Sequence, residues 1–265
     1  MTITLELLVD TARHKMEADR RAVSPDELAA RMRSSGALER EPGRFATALR
    51  GGGTRIIAEV KGASPVDGPI REGYEPAMIA CEYEGAGAAA ISVLTEETYF
   101  GGSLDALHEV AAAVSLPVLR KDFIVDSYQI YQAAVAGAAA VLLIAEAMPP
   151  AQLADLVGVA RECMLDALVE VHSAASIPAA VATGSGMIGV NNRNLTTMKV
   201  NWKHALEVAP MLPPDWLKVA ESGISSPGQV AAVGVAGYDA ALVGSSLMSA
   251  PVPADALRAL LGGKS

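Results

Sequence analysis

Eight short runs rich in Val, Ile and Leu recur from residue 55 onward, separated by Ala-rich segments of helical spacing and punctuated by glycine. Their starts lie 21 to 34 residues apart, the length of one strand, one helix and two loops. The runs are almost wholly apolar rather than alternating, as suits strands of a parallel sheet covered on both faces. These three observations predict an α/β fold, a single (β/α)8 TIM barrel with extra N-terminal helices, ahead of a doubly wound open sheet.

The 54 residues before the first run carry helical signals. Leu5, Leu8, Ala12 and Met16 fall on one apolar helix face. Ser24-Pro25-Asp26-Glu27 reads as an N-cap, a proline at the first helical position and a capping-box glutamate. The expected organisation is a helical extension over residues 1–54 packed on a barrel over 55–265, one structural domain overall. Whether the extension covers an end of the barrel or its side is open. Strands are expected at 55–60, 89–94, 116–120, 139–144, 166–171, 187–191, 216–220 and 240–243. Gly184-Ser-Gly186-Met-Ile-Gly189 matches a dinucleotide fingerprint, but it follows a helical segment and enters a strand. That order is inverted, so it reads as a helix C-cap and turn.

Composition narrows the function classes. A chain of 265 residues that is 51% hydrophobic can bury a large core, and a net charge of -9 without runs of like charge argues against nucleic acid. Cys81 and Cys163 belong to no C-x-x-C pattern and read as reduced structural thiols. The N-terminus acquires charges too early for a secretory signal, and the apolar stretch 133–145 is shorter than the ~18 residues of a membrane span. A cytoplasmic protein with no membrane partner is expected. The acceptor pattern Asn194-Leu195-Thr196 is then silent. His14, His108, His172 and His204 lack metal-ligand spacing, so no metal is expected; His172 alone sits at a strand end, where a structural role is the default.

In such a barrel the working residues project from the C-terminal strand ends. Here those ends carry Glu59 and Lys61, Lys121 and Asp122, Glu170, Asn191 with Asn192 and Arg193, and Glu221 with Ser222. Singly each is an ordinary solvated strand end. Together they concentrate opposite charges in one cleft, the arrangement that shifts proton affinities for acid–base chemistry. Ser222-Gly223 after the seventh strand and Gly244-Ser245 after the eighth fall where many barrels bind phosphate through backbone N–H groups.

The blocks IIAEVKGASP, AISVLTEETYFGGSLDAL, LPVLRKDFIVDSYQIYQA, VEVHS, IGVNNRNL, VAESGI and ALVGSSLM, in that order over roughly residues 55 to 248, resemble the indole-3-glycerol-phosphate synthase family of tryptophan biosynthesis. The resemblance implies a (β/α)8 barrel that needs no cofactor. Its substrate would be 1-(2-carboxyphenylamino)-1-deoxyribulose 5-phosphate, closed to indole-3-glycerol phosphate with loss of carbon dioxide and water. On the matching positions Lys121 corresponds to the general acid, and Glu170 to an acid or base of the dehydration. Lys61 resembles the residue that holds the phosphate and assists proton transfer. Glu59 and Glu221 match carboxylates that orient the lysines, and Asn191 matches a hydroxyl contact. Arg193 matches a residue near the substrate carboxylate. Ser64, Ser222, Gly223, Gly244 and Ser245 fall in the phosphate-contact blocks, and Phe100 and Phe123 resemble the apolar wall around the aryl ring.

The chain departs from the family pattern at Gly62, where a second basic residue is common, at Asp67, and at Asn194 and Asn201, where Asp is usual. Asp67 beside the entrance is expected to weaken steering of an anionic substrate. Two rival readings are another phosphate-binding barrel enzyme, which would lack the set Lys61, Lys121 and Glu170, and a non-catalytic barrel, which has no reason to keep unlike charges desolvated together. The only expected partner is a phosphorylated small molecule; the oligomeric state is open, a monomer included.

Overall fold

The computed structural model describes residues 3–64, 68–71, 73–194 and 197–263. Asp67 and Thr196, invoked above for steering and for the acceptor pattern, lie outside these. Eight parallel strands close into a barrel: β1 (Arg55–Val60), β2 (Ala90–Leu94), β3 (Val118–Lys121), β4 (Ala140–Ile144), β5 (Asp166–Val171), β6 (Met187–Asn191), β7 (Leu217–Glu221) and β8 (Ala240–Val243). Each pairs with its neighbour in sequence, and β1 meets β8 with Arg55 opposite Ala240. No open edge remains, which excludes the doubly wound sheet. A two-residue hairpin, Ala63–Ser64 with Gly68–Pro69, follows β1.

Side chains alternate across each strand. Ile57, Leu119, Leu142, Leu168, Val219 and Leu242 fill the barrel interior. Ile56, Ile91, Val141, Val169 and Ile188 face outward, against helices that contribute Tyr83, Leu107, Ile130 and Leu153. Both layers are apolar because both strand faces are covered.

The N-terminal extension forms α1 (Leu5–Ala22), α2 (Pro25–Ser34) and α3 (Arg44–Leu49). Ser24 caps α2 by accepting from the Glu27 N–H, with Pro25 at the first position. The extension reaches both ends of the barrel. Leu8 of α1 lines the cavity at the C-terminal strand ends. Phe45 and Leu49 of α3 pack into the interior cluster with Ala89, Met187 and Leu217 at the strand starts, and Asp166 at the start of β5 accepts the Ala46 N–H at 3.0 Å.

Helices α4 (Pro76–Ala86), α5 (Leu104–Ala113), α6 (Ser127–Ala136), α7 (Pro150–Glu162), α8 (Ile177–Ala182), α9 (His204–Val208), α10 (Pro227–Val235), α11 (Ser245–Met248) and α12 (Pro253–Leu260) complete the outer ring. Gly184 and Gly186, at φ +66° and +80°, form the turn between α8 and β6, as expected of an inverted fingerprint. Both cysteines are free thiols; burial, with Glu162 nearby, pushes Cys163 up to about 11. Among the described residues no helix is long and apolar enough to cross a membrane.

Candidate active site

The C-terminal strand ends surround a cavity of about 280 Å³. Its floor is ionic. Glu59, two residues before Lys61 on β1, accepts from Lys61 Nζ at 2.9 Å. Lys121, the last residue of β3, points across the barrel so that Nζ lies 3.1 Å from Glu170 Oε2 and 3.6 Å from Glu221 Oε2. Glu59, Glu170 and Glu221 are each at most 5% exposed, so these charges act on one another with little screening by water.

The proton affinities follow from that packing. Burial favours the neutral amine of Lys121, but Glu170, Glu221 and Glu59 outweigh it and hold the ammonium well above its ordinary value. Burial raises Glu170 too, yet Lys121 and His172 keep its carboxyl well below the usual range. Glu221 goes the other way: burial, then the Glu170 charge beside it, push it well above. A Glu221 that keeps its proton can donate to Glu170, giving a hydrogen bond to a carboxyl whose other polar neighbour, Lys121 Nζ, stands 3.6 Å away. Adjacent buried carboxyls thus divide into one anion and one acid.

Two glycines make room for this floor. A Cβ on Gly189 of β6 would fall on Glu221 Oε1, and one on Gly244, after β8, would fall on Glu59 Oε1. Gly244 therefore has a packing reason to be glycine alongside any approach to phosphate. Its neighbours Ser245 and Ser246 begin α11, ahead of the first bonds of that turn, which Leu247 and Met248 donate to the Gly244 carbonyl. Opposite them, Ser222 and Gly223 both adopt left-handed backbone, φ +67° and +78°. For serine that conformation is strained, and the Ser222 carbonyl is held by the Asn192 side-chain amide at 2.9 Å. Ser64 faces the same space from the hairpin after β1.

The wall is apolar. Phe100 and Phe123 stand with ring centroids 6.2 Å apart, tilted by 42°, and both line the cavity. Buried carboxylates fix the loops that carry them. Glu96 accepts the backbone N–H groups of Thr98, Tyr99 and Phe100 at 2.7 to 3.0 Å. Asp122 accepts the Phe123 N–H at 2.8 Å while bonding Thr95 and Arg120. On the remaining side, Asn191 Oδ1 accepts the Arg193 N–H at 3.0 Å, which turns its NH2 group into the available donor. The Arg193 guanidinium is pinned through one N–H to the Met198 carbonyl at 3.0 Å; the others can meet a carboxylate.

Glu59, Lys61, Ser64, Phe100, Lys121, Phe123, Glu170, Asn191, Arg193, Glu221, Ser222, Gly223, Gly244 and Ser245 all line this one cavity, whereas the side chain of Asn192 is turned to the Ser222 carbonyl and the Ala205 N–H. Sequence reasoning missed Leu8, which reaches the lip from α1, and gave His172 no part, although its Nε2 lies 2.6 Å from Glu170 Oε1. The E-x-H spacing at a strand end, which puts both side chains on one side of the chain, was the available signal. The departures have local explanations. A Cβ at Gly62 would press on the Tyr74 ring. Asn194 and Asn201 use a side-chain oxygen to accept the N–H of Thr197 and Lys203, as Asp would.

Comparison with known proteins supplies independent findings. The profile of the family described as "Indole-3-glycerol phosphate synthase" matches residues 5–260. A protein of that name from Rhodopirellula baltica is 44% identical over 98% of this chain and 99% of its own. Another from Sulfurimonas denitrificans is 50% identical over 73% of this chain and 74% of its own. Among solved structures, a 3-hexulose-6-phosphate synthase superimposes with a TM-score of 0.65 at 17% identity, covering 80% of this chain and 100% of its own, a likeness of fold.

Proposed function

Since the chain belongs to the indole-3-glycerol phosphate synthase family, carboxy-lyases of tryptophan biosynthesis, we propose that Lys121, Glu170 and Lys61 carry out the decarboxylative and dehydrative ring closure of 1-(2-carboxyphenylamino)-1-deoxyribulose 5-phosphate. The observation that carries the assignment is Lys121 Nζ set among buried carboxylates on the cavity floor, between the aromatic wall and the Ser222-Gly223 and Gly244-Ser245 loops.

The aryl carbon bearing the carboxylate attacks the sugar ketone, and charge develops on the ketone oxygen. Lys121, kept cationic by its neighbours, donates a proton to that oxygen; an alkoxide is basic enough to take it even from a raised ammonium. The carbon–carboxylate bond then breaks, its electrons restore the aromatic ring, and carbon dioxide leaves. In the second half the new hydroxyl departs with a proton as water, while the adjacent CH2 gives up a proton and its electron pair forms the ring double bond. Glu170, an anion through Oε2, receives that proton, and Lys61 assists at the leaving hydroxyl. Overall one proton is consumed, as loss of carbon dioxide from a carboxylate requires. Arg193 holds the substrate carboxylate until it leaves, Asn191 donates to a sugar hydroxyl, and Lys61, Ser64, Ser222, Gly223, Gly244 and Ser245 bind the phosphate. Phe100 and Phe123 flank the aryl ring, where an apolar wall keeps water from the reacting carbon. The same reading takes the enzyme to work in the cytoplasm, in keeping with two unpaired thiols.

The test is direct. Substrate is added to the purified chain in metal-free buffer and indole formation is followed by absorbance. Turnover is expected, and Lys121→Ala should lose roughly 10²–10⁴-fold in kcat with an unchanged circular dichroism spectrum. Full activity in that variant would overturn the acid assignment.

A further inference from the structure

His172 follows Glu170 by two residues at the end of β5 and does not line the cavity, yet its side chain is only 7% exposed. Its ring is committed at both nitrogens. Nδ1 lies 2.9 Å from the Arg193 carbonyl oxygen, and a carbonyl can only accept, so Nδ1 carries a hydrogen. Nε2 lies 2.6 Å from Glu170 Oε1. Two unprotonated atoms at that distance would oppose lone pair to lone pair; one proton therefore sits between them. The backbone is pinned as well, for the His172 N–H donates to Glu146 Oε1 at 2.9 Å and its carbonyl accepts from His204 Nε2 at 3.2 Å. The ring cannot turn without breaking these bonds.

We propose that His172 is a positioning residue for the reaction, binding Glu170 Oε1 through one shared proton so that only Oε2, the oxygen on Lys121, is presented to the substrate. This rests on the reading of Glu170 as the group that takes a substrate proton. No bond to carbon changes at His172: the shared proton stays between Nε2 and Oε1 while Oε2 accepts the proton of the CH2 group and afterwards returns it to water. The arrangement makes Glu170 an acceptor in this half of the reaction, because the oxygen facing the cavity bears no proton when the step begins.

The charged and titratable groups around the pair favour it. Glu146 approaches from the loop after β4 and His204 from α9, and beyond Glu170 stand Lys121 of β3 and Glu221 of β7. Burial alone would lower the imidazole, but Glu170, then the Arg193 carbonyl and then Glu146 outweigh it and hold it above its ordinary value. As pH rises through that raised value the shared proton is lost, a bare Nε2 faces Oε1, and activity should fall.

The experiment measures kcat and KM against pH for the full chain and for His172→Ala, His172→Gln, Glu170→Gln and His172→Ala/Glu170→Gln. His172→Ala is expected to lose roughly tenfold or more in kcat, part of the contribution of a general base, with KM little changed. Its acid limb should move to higher pH, since Glu170 has lost a cation. His172→Gln supplies an N–H that does not titrate, and should restore most of kcat and abolish the alkaline fall. The double variant should be no slower than Glu170→Gln alone. Independently of turnover, ¹⁵N NMR of the parent should show both His172 ring nitrogens protonated at neutral pH. Parent-like kcat and pH profile in His172→Ala, an unprotonated Nε2, or a double variant slower than Glu170→Gln would each overturn the proposal. Should His172→Ala fail to fold, His172→Gln and the NMR signature decide it. Full activity in Glu170→Gln would instead overturn the role given to Glu170, and with it this one; no turnover by the parent would overturn the function itself.

Discussion

Glu170 and Glu221 are chemically the same side chain placed beside the same lysine, and the difference between them is a matter of neighbours. Glu170 has both Lys121 and His172 within hydrogen-bond reach, whereas the cation beside Glu221 is Lys121 at 3.6 Å, with the Glu170 charge as its other neighbour. Glu170→Gln should leave two buried cations short of a partner and cost about 3–5 kcal/mol in urea denaturation. Glu221→Gln copies the protonated form and should cost about 1 kcal/mol or less. The pH dependence has a sign for each. Because Glu221 is raised, the folded state keeps a proton that the unfolded chain releases above about pH 4.3, so the parent loses stability as pH rises through that window and Glu221→Gln should gain on it. Glu170 works oppositely: its contribution is present above about pH 4.3 and disappears as pH falls through its depressed value. Equal stability losses in the two variants would contradict the division of roles.

At the scale of elements, α1 and α3 flank opposite ends of the barrel, and truncations in them should separate stability from catalysis. Phe45 is fully buried against the strand starts, so Phe45→Ala should cost about 3–5 kcal/mol while leaving kcat intact. Leu8→Ala should cost about 2–5 kcal/mol and also raise KM, since Leu8 lines the cavity. An unchanged KM would exclude α1 from the site. The strands were legible because apolar runs on a buried parallel sheet leave a strong mark, and their shifts have causes. The third strand begins at Val118 rather than at 116 because Pro117 has no N–H to give a ladder. It and the seventh run one residue further than expected, so Lys121 and Glu221 are the last residues of strands rather than the first of loops. The hairpin after β1 went unseen because two-residue strands carry no periodicity. Likewise the polar strand ends announced the ionic floor, but the tie between His172 and the Arg193 carbonyl joins two strands through a backbone atom that no residue pattern encodes.

For the whole molecule, a net charge of -9 surrounds the cavity that the proposed reading gives to an anionic substrate. The cations that line it, Lys61, Lys121 and Arg193, act within a few ångströms, while the bulk charge acts over a Debye length of about 10 Å at 0.1 M salt. Raising ionic strength from about 10 to 100 mM should therefore screen repulsion before it weakens binding, and kcat/KM should hold steady or rise. A steep fall would mean that the local cations govern approach from a distance.

The closure of β1 on β8 sets a condition on how the chain is made. Arg55 cannot find Ala240 until a further 185 residues have left the ribosome, roughly 10–40 s at ordinary rates of synthesis. In the early part of that interval, until α6 emerges with Tyr128, the apolar face of α1, with Leu8, Val9, Ala12 and Met16, has been synthesised but its seat has not. The nascent protein must carry that stripe uncovered while the barrel is still an open, incomplete sheet, a natural binding site for a chaperone.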